Sequence, residues 1–190
     1  MKMTIPTFAI LAALFISGCS GKDDKTGANG EKPVLTQGSN NAVAGVTWSL
    51  PARWKLTGER PMRIATYSIP SSGEGAEGEC AVFHFGNGQG GDVRANINRW
   101  VGQFENPSTP VEAEKEVDGM KVITVTTTGT YLAPAGPMMQ SQGKLSGYML
   151  LGAIVEAPGG SVFFKLTGPS ATVGGAKAEF DALLGSIKKQ

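Results

Sequence analysis

The chain has 190 residues, with 17 Lys and Arg against 16 Asp and Glu, a single histidine and two cysteines. This near-neutral balance excludes the strong positive field that recruits nucleic acid or anionic lipid. One histidine and two cysteines leave few ways to build a metal centre.

Lys2 precedes an apolar run, residues 5–16, too short to span a bilayer as a mature helix and suited to the core of a signal peptide. The run ends in Ile16-Ser17-Gly18-Cys19, which resembles the lipobox of bacterial lipoproteins, where small residues admit the peptidase and the cysteine sulfur takes a diacylglyceryl group. The resemblance implies removal of residues 1–18 and a lipidated Cys19 that holds the chain in the bilayer by its acyl chains. Ser20, rather than Asp, is similar to the pattern sent on to the outer membrane, facing the periplasm. Residues 19–45 are Gly, Asn, Lys, Asp, Ser and Thr with almost nothing apolar, so they are expected to form a flexible tether. Treated as a coil of about 25 residues, it would span roughly 25–30 Å. With Cys19 lipidated, Cys80 has no partner, and no intrachain disulfide is expected in that oxidising compartment.

Residues 46–190 have the length of one domain, enough to bury about two-thirds of the unfolded surface. Val46-Thr47-Trp48-Ser49-Leu50 alternates as a short strand that Pro51 stops, and residues 62–69 make a second. A third, residues 78–85, puts Ala81, Phe83 and Phe85 on one face and Cys80, Val82 and His84 on the other. After a glycine loop, Asp92 is placed to cap a helix whose Val93, Ile97, Trp100, Val101 and Phe104 recur at helical spacing. Residues 111–117, an Asp118-Gly119 turn and residues 120–131 read as a hairpin. A proline-punctuated loop, residues 133–143, leads to a strand, residues 148–155, apolar on both faces, which requires cover above and below the sheet. A strand over residues 161–167 and a last helix, carrying Val173, Phe180, Leu183, Leu184 and Ile187 on one side, complete the domain.

The opening Trp48-x-Leu50-Pro51-x-x-Trp54, the strand order, and the ending Phe164-Lys165-Leu166-Thr167-Gly168-Pro169 before a helix with Phe180 and Ser186-Ile187 resemble the PsbP-like family. That family includes an extrinsic subunit of photosystem II and a small Ran-binding protein. The resemblance implies an α+β fold, a largely antiparallel sheet of about seven strands with helices on both faces. It brings no catalytic residues and implies a binding or assembly module.

Several residues invite sharper chemistry. Gly86-x-Gly88-x-x-Gly91 matches a dinucleotide fingerprint, which needs a parallel strand-helix-strand unit; an antiparallel hairpin follows here, so the loop is expected to supply geometry and no cofactor is expected. Cys80 and His84 share one face of a strand, but four residues of rise separate them by about 13 Å, too far for a dyad. Met138 and Met139 with Cys80 offer soft ligands for Cu(I). Ser141-x-x-Lys144 matches a serine-lysine pair but precedes a strand rather than opening a helix. Glu112, Glu114 and Glu116 form an acidic row suited to keeping an edge strand soluble, or to meeting a cation or a basic partner.

Covalent catalysis needs a general base beside a nucleophile, and no motif supplies one. The expectation is therefore a membrane-anchored envelope lipoprotein acting as a non-catalytic binding module. An envelope protein partner would be met by residues 133–143, chiefly Met138 and Met139, because loops on a rigid sheet commonly carry recognition residues. The alternative is a small envelope enzyme or copper-binding protein using Cys80, His84 or Met138 and Met139.

Overall fold

The computed structural model describes residues 35–36, 41–71, 73–133 and 143–190. The expected leader, Cys19, Met138, Met139 and Ser141 lie outside the described residues. β1 (Leu35–Thr36), β2 (Ala42–Val43), β3 (Val46–Thr47) and β4 (Leu50–Pro51) are short, and β1 pairs with β4 and β2 with β3, all antiparallel. Two of these strands, β1 and β2, fall within residues 19–45. The segment around β2 is seated by apolar contact and hydrogen bonding together: Val43 and Ala44 pack against the core, and the buried Asn41 accepts through its side-chain carbonyl from the Tyr67 hydroxyl at 2.7 Å. That hydroxyl in turn accepts from Trp48 Nε1 at 3.2 Å.

β5 (Lys55–Leu56), β6 (Ala65–Ile69) and β7 (Gly78–His84) lead to α1 (Val93–Val101). Then come β8 (Phe104–Glu105), β9 (Val111–Val117), β10 (Met120–Leu132), β11 (Lys144–Val155) and β12 (Val162–Pro169). α2 (Ser170–Gly175), α3 (Lys177–Gly185) and β13 (Lys188–Lys189) end the chain. The central sheet runs β5-β6-β7-β12-β11-β10-β8, with β9 paired to the first half of β10. Every pairing in it is antiparallel. The fold is α+β with few, short helices. Among the described residues no helix is long and apolar enough to cross a membrane.

The hairpin of β9 and β10 forms where the turn residues place it: Asp118 and Gly119 take φ of 50° and 68°, the left-handed pair that matches the strand twist. α1 ends at Val101, earlier than the apolar stripe suggests, and Phe104 is carried by β8 while remaining in the same core. The expected single C-terminal helix is two, broken at Ala176 after the weak helix formers Gly174 and Gly175.

From Leu150 to Val155, β11 is buried on both sides and separates two cores. Leu150 and Ile154 pack with Ile97, Trp100, Phe104, Val125 and Phe163. Leu151, Ala153 and Val155 pack with Phe164, Leu166, Val173, Phe180 and Leu184. Full burial of each such side chain contributes roughly 1.5–3 kcal/mol. The two tryptophans of the opening motif belong to the second core: Trp48 meets Phe164 edge-on at 5.2 Å, and Trp54 Nε1 donates to Glu179 Oε2 at 2.8 Å.

Candidate functional site

Adjacent antiparallel strands present alternate residues on a common face. The register of β12 against β7 sets Phe163 beside Phe83, Lys165 beside Ala81 and Thr167 beside Glu79. These six residues form one patch; Cys80, Val82, Phe164 and Leu166 point to the opposite core. α1 lies along this patch. Its start is pinned by Asp92, whose carboxylate accepts from the Ala95 amide at 2.8 Å, and by the buried Asn96, whose side-chain amide donates to Gly90 O at 2.8 Å and Asp92 O at 2.9 Å. Trp100 is seated in the core, and Arg99 and Gln103 face the patch from the same side. Tyr131 of β10 closes the far side.

The result is a cavity of about 230 Å³ bounded by Arg63, Glu79, Arg99, Tyr131 and Lys165 and by the rings of Phe83, Phe85, Trp100 and Phe163. A second depression of about 300 Å³ shares Arg63, Glu79, Tyr131 and Thr167 with it and continues across the sheet to Leu145 and Tyr148. Tyr131 and Tyr148 stack there with centroids 5.9 Å apart. A register shift between β10 and β11 past Gly129 brings Tyr131 opposite Leu145.

The electrostatics of the cavity are lopsided. Glu79 is its one carboxylate, and Arg63 holds it at 2.8 Å, with Arg60 at 3.4 Å. Lys165, half-buried, donates to Gln103 Oε1 and to the Tyr131 hydroxyl at 3.2 Å, and its ammonium lies 5.3 Å from the Tyr131 ring centre. Arg99 donates to the side-chain carbonyl of Asn96. Among the described residues neither Lys165 nor Arg99 is in an ion pair. Burial, reinforced by the nearby Arg63 charge, pulls the Lys165 ammonium from its ordinary 10.5 down to about 8. Burial likewise pushes the Tyr131 phenol up to about 12.

The residues singled out by sequence lie elsewhere. Cys80 is 0% exposed, and burial pushes its thiol well above the ordinary range, so it is held as a neutral thiol within the core. His84 shares that side of β7, with Nδ1 3.1 Å from Ser161 O. Neither is brought to the cavity. The glycine loop joins β7 to α1, but β7 pairs antiparallel with both neighbours, so the fingerprint lacks its parallel unit. Glu112 is clamped by Arg94 at 2.6 and 2.9 Å, and Glu114 pairs with Lys121 at 2.8 Å. Lys144 pairs with Glu105 at 2.6 Å. Among the described residues no group of three or more His, Cys, Asp or Glu could hold a metal ion.

Sequence reasoning missed Arg63, Glu79, Asn96, Arg99, Tyr131 and Lys165. One signal was present: in the strand Val162-Phe163-Phe164-Lys165-Leu166-Thr167, a lysine occupies a face begun by a phenylalanine, where an apolar residue would pack.

No protein-family model matches the sequence, and no curated protein matches it. Solved structures match the fold. Cyanobacterial PsbP from Synechocystis superposes with a TM-score of 0.50 at 11% identity, over 87% of this chain and 98% of that one. A protein of unknown function from Pseudomonas aeruginosa gives a TM-score of 0.47 at 11% identity, over 84% of this chain and 99% of that one. The chain has the PsbP-like fold that its tryptophan motif and C-terminal pattern resemble.

Proposed function

We propose that the chain is a non-catalytic binding module of the bacterial envelope, anchored through a lipidated Cys19 at the outer membrane, and that the cavity beside α1 is where it binds. The two separate core clusters support the layered arrangement in which α1 covers one face of the sheet and α2 and α3 the other. The observation that carries the binding reading is Lys165: a half-buried cation, near Arg63 and Arg99, with no carboxylate partner among the described residues. Partly buried charges are ordinarily paired, because desolvation otherwise opposes folding. A fold that keeps the half-buried Lys165 without a carboxylate, beside aromatic rings and with the more exposed Arg99 nearby, is arranged for an anionic ligand that completes it. The lining side chains offer hydrogen-bond donors and ring faces, and neither histidine nor cysteine is among them.

Native mass spectrometry of the full lipidated chain, released from its own membranes in mild detergent, tests this reading. The wild type is expected to carry a small-molecule adduct that disappears when Ala81→Leu fills the cavity. A wild type without an adduct, or an adduct unchanged in the variant, contradicts it.

A further inference from the structure

We infer that the ligand is a monocarboxylic acid with a flat aromatic body, its carboxylate bridging Lys165 and Arg99 and its ring lodged against Phe83 and Phe85. This deepens the binding reading above and rests on it.

Charge comes first. Glu79 is engaged by Arg63 and Arg60, so the cations left to meet a ligand are Lys165 and Arg99. An ammonium carries three protons; Gln103 and Tyr131 accept two from Lys165, and the third is left for an incoming acceptor. A guanidinium has five N–H groups, and Arg99 gives one direction to Asn96. The two oxygens of one carboxylate can therefore each meet a cationic donor, the charge-assisted geometry that is short and strong. Phosphate fits less well. Glu79 lines the same cavity and opposes a second negative charge, and the glycine loop between β7 and α1 does not line it.

Shape then selects the body. Trp100 and Phe163, both buried, meet edge-on with centroids 6.4 Å apart and back the cavity, and Phe85, 36% exposed, stacks on the half-buried Phe83 at 6.1 Å. Such rings favour a flat π-system over a branched chain. A cavity of about 230 Å³ lies below the usual range for drug-sized ligands, which limits the occupant to about one or two fused rings.

The test is calorimetry on the full chain with three probes of one shape: 2-naphthoate, its neutral amide and 2-naphthyl phosphate. The acid is expected to bind roughly 10- to 100-fold more tightly than the amide, the effect of a hydrogen bond to a charged group. Lys165→Met should erase that preference, and Arg99→Gln, at a more exposed helix position, should weaken the acid without touching the fold. An amide that binds as well as the acid overturns the anion assignment while leaving the cavity reading intact. A phosphate that binds more tightly than the carboxylate overturns the head-group assignment. Silence from all three probes overturns the inference, whereas an adduct insensitive to Ala81→Leu overturns the binding reading itself.

Discussion

The indole of Trp100 rests directly on the backbone of Gly152: a β-carbon built at Gly152 would fall 2.6 Å from the ring and 2.9 Å from Val125. Leu150, Gly152 and Ile154 share a face of β11, and the gap at the glycine is the seat that fixes α1 over the sheet. Gly152→Ala overfills this seat. It is expected to destabilise the chain by roughly 1–3 kcal/mol in urea denaturation, the usual effect of overpacking, and to displace the cavity wall. Unchanged stability contradicts the role given to this contact.

Lys165 makes stability depend on pH. Unfolded, it titrates at the ordinary 10.5, and folded at about 8, so between these values the unfolded chain binds more protons and stability rises with pH. Tyr67 and Tyr131 act in the opposite sense: burial raises both from 10.0 to about 12, so their contribution is lost as pH climbs from 10 towards 12. Cys80 opposes Lys165 as well, since burial raises its thiol above the ordinary 9.0, so urea midpoints in the wild type are expected to rise from pH 8 towards 9. The rise should be missing from Lys165→Met, which should be at least as stable as wild type at pH 7. Parallel pH profiles for the two chains contradict the prediction.

Gly88 lies at φ of 70° with open space where a side chain would sit, so Gly88→Ala tests conformation alone. A loss of about 1 kcal/mol is expected from placing a β-carbon in the left-handed region. Titration of the wild type with ATP or NAD should give no heat beyond dilution. A micromolar isotherm contradicts the structural role of the loop.

Cys80 and Cys19 can be separated in one variant. In Cys19→Ala the remaining thiol is Cys80, since the chain has two cysteines. That chain is expected to lose fatty-acid labelling in cells and to accumulate as an uncleaved or a soluble form. Its Cys80 should stay unreactive towards maleimide until urea unfolds it. Labelling with fatty acid that persists, or a thiol that reacts in the folded chain, contradicts the anchor or the burial respectively.

The local features were legible because neighbouring residues encode them. Asp118-Gly119 announces the β9–β10 turn, Asp92 caps α1, and the alternation of β7 sends Ala81 and Phe83 one way and Cys80 and Val82 the other. The cavity was not legible, because its groups come from Arg63, Glu79, Arg99, Tyr131 and Lys165, joined only by the strand order β7-β12-β11-β10. Residue types that announce chemistry, the lone histidine and the cysteine, drew attention to the opposite side of β7. The short strands before Val46 were not legible for a related reason: Asn41 bonds to Tyr67, and Val43 and Ala44 reach a core built from distant residues, which composition does not register.

The most direct measurement is the ¹³Cε NMR signal of Lys165, followed through pH with and without 2-naphthoate. The account predicts a midpoint near pH 8 in the free chain, because burial and the nearby cations disfavour the charged ammonium. Adding 2-naphthoate should move the midpoint upward, since a bound carboxylate favours the charged form. A midpoint in the ordinary lysine range, unmoved by 2-naphthoate, would contradict the assignment of this cavity as the binding site.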